Sequence, residues 1–299
     1  MNLRQQSRLP PTNVDAFLIW PRGGNTGDLL IAGACERYLR HRGIDVWRSD
    51  GSFEEAAIAG DGAYLREALS RFRGMLMFPG GGNIGIYPDN GAIRAAVLVH
   101  AGPRHRCLVF SQSALRPERA LVDPRVTVWC RDKTSFAILQ RAGTRVELVP
   151  DMVLYMDDTI EKHPGGAGTF FIKRPPKGDT ESVDHGIVFD GPTSDLTLRD
   201  PLEQVIATLK PYAIVISDRL HGGIIALMMR KKVVFLPVGY HKTRSFFDTW
   251  LAAMPGAVFV NTQSDLHPSM IDLQTPACNL KALFCKHADP AFSRFLMNA

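Results

Sequence analysis

The sequence predicts an α/β protein with two Rossmann-like domains, each built on a parallel sheet. Short β-branched and aromatic runs alternate with stretches whose apolar residues recur at helical spacing, as expected for strands joined by crossover helices. A polar, glycine-rich segment between Asp157 and Gly168 divides this alternation into two series, and 299 residues exceed what one core usually fills. We expect a first domain over 1–160, a second over 161–275, and terminal helices over 276–299 that pack back on the first domain.

The composition is that of a globular protein suited to anionic ligands. Hydrophobic residues make up 45% and charged residues 22% of the chain, and the formal charge is +5 with a pI near 9.0. Lysines and arginines are scattered, which favours phosphate-bearing ligands or an anionic membrane surface over nucleic acid. Without a signal-peptide pattern or an apolar run of membrane length, we expect a cytoplasmic protein that can contact the inner face of the cell membrane.

The cysteines are odd in number, lack C-x-x-C spacing and lie mostly in apolar or helical stretches: Cys35, Cys107, Cys130, Cys278 and Cys285. We expect reduced thiols in the core. No histidine and cysteine cluster has metal-ligand spacing, so neither a metal nor a cofactor is expected.

The first half alternates strands and helices in chain order. Its predicted strands are Phe17–Trp20, Asp45–Arg48, Met75–Phe78, Cys107–Phe110, Val126–Trp129 and Val146–Val149. Its predicted helices are Leu29–Arg42, Tyr64–Phe72, Ala92–His100 and a helix from an N-cap at Thr134 to Gly143. This order predicts a parallel sheet covered on both faces.

Two of these strands run into glycine-rich segments. In Pro-Arg-Gly-Gly-Asn-Thr-Gly-Asp at 21–28, either Asn25, Thr26 or Asp28 caps the next helix, or the glycines let sugar hydroxyls or a phosphate approach the backbone. The spacing is not the G-x-G-x-x-G of dinucleotide sites. The triple glycine at 80–82 forms either a tight turn or an opening for a ligand.

The second half repeats the alternation. Strands are predicted at Thr169–Ile172, Ile187–Phe189, Ile214–Ile216, Val233–Leu236 and Val258–Val260. One helix is predicted at Asp200–Lys210, a second begins after residue 220, and a third ends at Trp250. Two terminal helices are predicted at Pro276–His287 and Pro290–Met297. Lys173 and Arg174 follow the first of these strands, either as ligands in a cleft or as an exposed charged turn.

The stretch after the strand at 214–216 carries the densest chemistry. Ser-Asp-Arg-Leu-His-Gly-Gly at 217–223 places Arg219 and His221 where a strand gives way to a helix, the edge at which α/β sheets bind ligands and helices attract anions. His221 can carry a proton near neutral pH, and the two glycines leave the backbone open to close approach. The plainer alternative is that Arg219 pairs with Asp218 and His221 is a satisfied core residue.

The next strand ends in Tyr-His-Lys at 240–242. Two neighbouring strand ends thus bring Arg219, His221, His241 and Lys242 to one crevice, which predicts a pocket for a small anion.

Several segments resemble the polysaccharide pyruvyl transferase family in content and order. They are Gly-Asn-Thr-Gly-Asp at 24–28, Phe-Pro-Gly-Gly-Gly-Asn at 78–83, Cys-Arg-Asp at 130–132, Val-Pro-Asp at 149–151 and Ser-Asp-Arg-Leu-His-Gly at 217–222, followed by Tyr-His-Lys at 240–242. The resemblance covers the chain from about Ile19 to Trp250, and the ordered set is more specific than any single segment.

The resemblance implies a glycosyltransferase-B-like architecture with the active site in the interdomain cleft. It also implies transfer of the enolpyruvyl group of phosphoenolpyruvate onto a sugar of an exopolysaccharide repeat unit, expected to be linked to polyprenyl diphosphate, with a pyruvate ketal and phosphate as products. In that chemistry we expect His221 to act as general acid or phosphate ligand. We expect Asp28 to bind the acceptor or to take a hydroxyl proton.

The expected site residues fall into three groups. The catalytic group is His221, Arg219 and Asp28. The donor-binding group is Arg219, His221, Gly222, Gly223, Lys173, Arg174 and Lys242. The acceptor-binding group is Asn25, Thr26, Asp28, Gly81, Gly82 and Asn83. Phosphoenolpyruvate is a co-substrate in this scheme, and no metal takes part.

Three other functions stay open at this point. A glycosyltransferase that uses a nucleotide sugar would share the architecture but would need a base-and-ribose pocket in the second domain. A non-catalytic glycan-binding or phosphate-binding protein would use the same crevice without turnover. A dinucleotide-dependent oxidoreductase is disfavoured by the spacing of the first glycine segment.

Overall fold

Seven parallel strands form one sheet in the first half of the computed structural model. The structure describes residues 13–19, 25–49, 51–174, 192–194, 201–262, 265, 275–276 and 278–297. The strands are β1 (Ala16–Leu18), β2 (Val46–Arg48), β3 (Met75–Phe78), β4 (Gly81–Ile84), β5 (Cys107–Ala114), β6 (Val126–Cys130) and β7 (Arg145–Leu148). Their order is β2-β1-β3-β5-β6-β7, and β4 pairs with β5 beyond the end of β3. The predicted parallel sheet is confirmed.

A second parallel sheet follows in the order β12-β11-β10-β8-β9. Its strands are β8 (Thr169–Ile172), β9 (Thr193–Ser194), β10 (Ile214–Ser217), β11 (Lys232–Phe235) and β12 (Ala257–Phe259). The strand predicted at Ile187–Phe189 and residues 20–24 of the first glycine segment lie outside the described residues. Strand order reverses between β1 and β3 and again between β8 and β10, so each sheet has a topological switch point where ligands of such sheets bind.

The α-helices of the described residues are α1 (Thr26–His41), α2 (Ser52–Ala59), α3 (Gly62–Arg71), α4 (Pro88–His100), α5 (Lys133–Arg141), α6 (Leu202–Leu209), α7 (Leu220–Met228), α8 (Lys242–Phe246) and α9 (Leu280–Met297). A π-helical turn, Phe247–Leu251, continues α8, and a 3₁₀ helix, Met152–Thr159, follows β7. None of these described helices is long and apolar enough to cross a membrane.

Two predicted helix boundaries were wrong. The residue that caps α5 is Asp132, not Thr134, because the Asp132 carboxylate accepts the backbone N–H of Ser135. The two terminal helices are one helix, α9, which runs through Pro290. A proline removes one helical hydrogen bond, but buried apolar residues on both sides of it, including Phe284 and Phe292, keep the two segments packed on one surface.

Side chains on alternate faces of the first sheet enter two hydrophobic clusters. On β3, Leu76 and Phe78 pack with residues of α2, α3, α4 and α5, whereas Met77 packs on the opposite face with α1 and α9. The cluster that contains Met77 continues into the second sheet through Ile172 and Val215 and through α7. The two sheets therefore share one core, in which Phe292 of α9 lies with its ring centroid 5.6 Å from that of Tyr38. The boundaries at residues 160 and 275 stay predictions.

Candidate active site

The two switch points meet at His221 and Gly27. His221 lies in the first turn of α7, after β10, and Gly27 lies in the first turn of α1, after β1. A β-carbon on residue 27 would lie 2.3 Å from Nδ1 of His221, so that only glycine fits at this position. The ligand-binding edge of one sheet therefore touches that of the other.

A buried carboxylate holds the other side of the imidazole. Nε2 of His221 lies 3.2 Å from Oδ2 of Asp151, and Nη1 of Arg131 donates to the same oxygen at 2.7 Å. The side chains of Asp151 and Arg131 are 0% and 1% exposed, and that of His221 is 14% exposed. Burial acts to raise the pKa of Asp151, but the charges of His221 and Arg131 and the N–H of Val153 together lower it below its ordinary value. Asp151 is therefore an ionised carboxylate at neutral pH.

The guanidinium of Arg131 is fixed by a second carboxylate. Its Nε donates to Oγ of Ser113 at 2.8 Å, and that hydroxyl donates to Oδ2 of Asp132 at 2.7 Å. Burial acts to lower the pKa of Arg131, but Asp151 and further neighbours raise it above its ordinary value. Arg131 is thus a permanent cation in one orientation, and among the described residues its Nη2 has no hydrogen-bond partner.

Nη2 of Arg131 lies at the edge of the second glycine segment. A β-carbon on Gly82 would lie 2.6 Å from this nitrogen, 2.8 Å from the hydroxyl of Tyr240 and 3.4 Å from Cδ of Lys242. The Tyr240 hydroxyl donates to the carbonyl oxygen of Gly82 at 3.1 Å, and the Lys242 ammonium lies 5.1 Å from the centroid of the Tyr240 ring. The structure therefore brings Gly82 and Lys242, both predicted site residues, next to Arg131.

His241 faces the first half of the chain. Its Nε2 lies 3.2 Å from Oγ of Ser135 and 3.7 Å from Oδ1 of Asp132. Burial lowers the pKa of His241 below its ordinary value, an effect that Asp132 partly offsets. His241 is consequently a neutral contact to α5 at physiological pH.

Arg219 is buried at the residue before α7. The backbone N–H of Arg219 donates to Oγ of Ser217 at 3.0 Å, and the Ser217 hydroxyl donates to the carbonyl oxygen of Arg219 at 2.8 Å. Asp218, the partner expected in the plainer alternative, accepts the backbone N–H of Arg174 at 2.9 and 3.0 Å. The sharp turn from β10 into α7 is thus held by side chains of the turn itself.

The two glycines after His221 have a packing role that the sequence analysis did not foresee. A β-carbon on Gly223 would lie 2.2 Å from the ring of Phe235, and one on Gly222 would lie 2.9 Å from Ile172. They let α7 lie close against β8 and β11, which positions His221 at the edge. Direct contact of their backbone with a donor stays a prediction.

Lys173 lies at the end of β8, next to Phe171. Its side chain is exposed, and its ammonium is 5.8 Å from the centroid of the Phe171 ring, on the face of the second sheet that also carries Ile216 and Val234. Arg174 is buried at the end of β8. A donor contact from either residue stays a prediction.

The predicted acceptor residues have hydrogen bonds within the protein. Asn25 and Asp28 form a reciprocal capping box at the start of α1. The N–H of Asn25 donates to Oδ2 of Asp28, and the N–H of Asp28 donates to Oδ1 of Asn25, each at 3.2 Å. Asn83 accepts Nη1 of Arg94 at 2.8 Å through its amide oxygen, and Thr26 is buried. Gly81 has a φ of 142°, which only glycine adopts easily. Their contact with an acceptor stays a prediction.

Asp151 and Arg131 were not among the site residues predicted from the sequence. Both lay in quoted segments, and both follow strands whose carboxyl ends form the ligand edge. That shared position was the available signal, but a sequence cannot show that their side chains reach across to His221. Among the described residues, no group of histidine, cysteine or acidic side chains could hold a metal ion.

The fold and the site define an α/β protein whose two sheets assemble a cationic site, with a histidine and a buried carboxylate, where their switch points meet. The polysaccharide pyruvyl transferase family model matches residues 25–240, so the chain belongs to that family. This confirms the resemblance seen in the sequence.

Two relatives extend the comparison. A protein of Bacillus subtilis (strain 168), named "Putative pyruvyl transferase EpsO", is 22% identical over an alignment 306 positions long. The alignment covers 86% of this chain and 91% of that protein. The crystal structure of a functionally uncharacterised protein from Klebsiella pneumoniae subsp. pneumoniae NTUH-K2044 superimposes with a TM-score of 0.62 at 17% identity, covering 83% of this chain and 92% of that one. The structural likeness establishes the fold alone.

Proposed function

We propose that the protein transfers the enolpyruvyl group of phosphoenolpyruvate onto two hydroxyls of one sugar in an exopolysaccharide repeat unit. Family membership supports pyruvyl transfer to a polysaccharide. The observation that carries the finer proposal is the position of His221, in contact with Asp151 and beside Arg131, at the junction of the two sheets. A proton-carrying side chain beside fixed cations suits a reaction that protonates an anionic enol ester.

The proposed reaction balances without a redox partner. A proton adds to the methylene carbon of phosphoenolpyruvate, and the oxygen of a sugar hydroxyl bonds to C2. The bond between C2 and the phosphate oxygen then breaks, and a second hydroxyl oxygen closes the ketal. Of the two hydroxyl protons, one replaces the proton given to the methylene carbon and the other leaves with phosphate. His221 is the proposed general acid, a role worth about 10²–10⁴-fold in rate.

The donor would bind where the cations are. Phosphoenolpyruvate has a carboxylate and a phosphate, and both lose water when they enter a cleft, so charged donors must replace that hydration. Arg131 offers Nη2 in a fixed orientation, and Lys242 and Arg219 lie on neighbouring strand ends of the second sheet. We place the donor between these residues, in a cleft of glycosyltransferase-B type.

The acceptor would enter from the glycine segments of the first sheet. We propose that it is linked to polyprenyl diphosphate and that the protein touches an anionic membrane surface when it binds. Two apolar side chains at this edge, Tyr87 and Leu115, are 42% and 47% exposed, and Arg116 beside them is exposed. Sedimentation with anionic vesicles at low salt tests the contact. Binding that survives in Leu115→Ser and Tyr87→Ser, or no binding at all, rejects this surface.

Transfer itself is tested by incubation with phosphoenolpyruvate and a glycan acceptor. We expect free phosphate and a ketal methyl signal by NMR, and we expect both to disappear in Arg219→Ala and in His221→Gln. His100→Gln, at the end of α4 in the first half, is the matched control and should keep the wild-type rate. Phosphate release without a ketal, turnover of a nucleotide sugar, or wild-type rates in both site variants would overturn the proposal.

A further inference from the structure

The two nitrogens of the His221 ring have different surroundings. Nε2 faces Oδ2 of Asp151 at 3.2 Å, and Nη1 of Arg131 lies 3.4 Å from it. Nδ1 lies against Gly27, in the first turn of α1, and among the described residues it has no hydrogen-bond partner. The protein therefore holds the ring at Nε2, and no hydrogen bond of the described residues holds Nδ1.

The held side fixes where a proton must lie. Asp151 is fully buried and paired with Arg131, so it is ionised and can only accept hydrogen bonds. A lone pair on Nε2 would face the carboxylate oxygen at 3.2 Å and repel it, whereas an N–H there gives Oδ2 a second hydrogen bond beside that from Arg131. The other oxygen, Oδ1, already accepts the N–H of Val153 at 3.0 Å. Nη1 of Arg131, 3.4 Å from Nε2, would by itself favour a lone pair there, but this nitrogen already donates to Oδ2 at 2.7 Å and the contact of Nε2 with the carboxylate is the shorter one. We therefore assign the proton of the neutral ring to Nε2.

We propose that Asp151 is the positioning residue of the site, which keeps the His221 proton on Nε2 so that Nδ1 exchanges protons with the substrates. This rests on the function proposed above. Charged His221 donates the Nδ1 proton to the methylene carbon of phosphoenolpyruvate, and the electron pair of the carbon–carbon double bond forms the new C–H bond. Neutral His221 then accepts, at Nδ1, the proton of the sugar hydroxyl that attacks C2. Nδ1 faces the first turn of α1, on the side where we place the acceptor.

The groups that face the ring come from three elements. Asp151 follows β7 and Arg131 follows β6, and Gly27 belongs to the first turn of α1, in which the helix dipole acts. Asp151 stabilises the charged ring, and Arg131 and the helix terminus oppose it. Asp151 is thus the group whose removal should change which ring nitrogen carries the proton.

The test uses the full chain labelled with ¹⁵N histidine, and His221→Gln assigns the signal. In the neutral form of the ring, wild-type His221 should show the pattern of a ring protonated at Nε2, and Asp151→Asn should convert it to a mixture or to the Nδ1-protonated form. Asp157→Asn is the matched control, since Asp157 is also a buried carboxylate paired with an arginine, Arg230, but lies outside the site. It should leave the pattern unchanged.

Kinetics separates this proposal from the function it rests on. In Asp151→Asn we expect kcat to fall by about 10²–10⁴-fold, as when a histidine loses its orienting carboxylate, with KM for phosphoenolpyruvate changed by less than about threefold. An Nδ1-protonated ring in the wild type overturns the proposal even if Asp151→Asn does not fold. Unchanged kcat and tautomer in Asp151→Asn also overturn it while leaving the function standing. Absence of transfer in the wild type, with the Nε2 pattern present, overturns the function alone.

Discussion

Nε1 of Trp250 donates a 2.6 Å hydrogen bond to the backbone carbonyl oxygen of Arg131. Trp250 lies in the π-helical turn after α8, so the second half of the chain holds the backbone of an arginine that reaches the site from the first half. Ser245 adds a hydrogen bond of 2.9 Å to Oγ1 of Thr134, and Thr249 accepts the N–H of Lys133 at 3.2 Å. The geometry around Arg131 is thus fixed by hydrogen bonds of the protein itself, which reduces the cost of ordering it.

Gly27→Ala should remove activity without unfolding the protein. The new methyl group would overlap Nδ1 of His221 and force the ring away from Asp151, and a shift of this size can cost about 10²-fold in rate. Gly33→Ala is the control in the same helix, because no atom lies within 4 Å of its β-carbon position. It should keep the wild-type rate and raise the free energy of unfolding by about 0.5–1 kcal/mol. Equal rates for the two variants would contradict the close contact at Gly27.

The stabilisation that Asp151 contributes should depend on pH. Because its pKa is lowered on folding, the contribution is complete above its ordinary value of 3.8 and is lost as pH falls below that value. We expect Asp151→Asn to reduce the free energy of unfolding by about 3–5 kcal/mol at pH 7, since Arg131 is left uncompensated, and by less at pH 3. Urea denaturation at both pH values measures this. Asp248→Asn, in an exposed pair with Arg244, should change it by less than about 1 kcal/mol at either pH. A loss for Asp151→Asn that is the same at both pH values would contradict the ionised state.

Phe292→Ala should destabilise the whole molecule. Its ring contacts those of Tyr38 and Trp129, and it is buried in the core that both sheets share. Removal of such a ring typically costs about 3–5 kcal/mol of unfolding free energy. Met297 lies in the same helix but is 73% exposed, so Met297→Ala should reduce the free energy of unfolding by less than about 0.5 kcal/mol. Similar values for the two variants in urea denaturation would show that α9 does not pack on the first sheet.

Three thiols should be unreactive in the native protein. Cys35, Cys107 and Cys130 are buried, and burial raises the pKa of Cys107 to about 12, while those of Cys35 and Cys130 are also raised. A thiol reagent at pH 8 should therefore modify at most the two partly exposed cysteines, Cys278 and Cys285, and all five after denaturation. Fast reaction of a third thiol before unfolding would contradict the burial.

The sequence predicted the strands well because their apolar runs are short and bounded by polar residues. It placed β8 and β10 within one residue of their observed bounds, and its family resemblance is confirmed. The helix Ser52–Ala59 is missing from the predicted helices, because eight residues show too little periodicity. The prediction also ended β5 at Phe110, whereas that strand runs to Ala114 and pairs with β4.

The site was predictable only where neighbouring strand ends of one sheet supply it. His221 and Lys242 follow adjacent strands of one sheet, so local pattern was enough to group them. The contacts of His221 with Asp151 and Arg131 join residues 70 and 90 positions apart on different sheets. No local pattern encodes such pairs, since they depend on how the two sheets pack together.

The packing of α9 on α1 and β6 has a consequence for how the protein is made. A ribosome that has released residues 13–262 has produced all the described strands of both sheets, yet Tyr38 and Trp129 still lack the rings of Phe284 and Phe292. The nascent chain must therefore expose this apolar surface until residues 280–297 emerge. Truncation before this helix should therefore leave a chain that aggregates or binds chaperones.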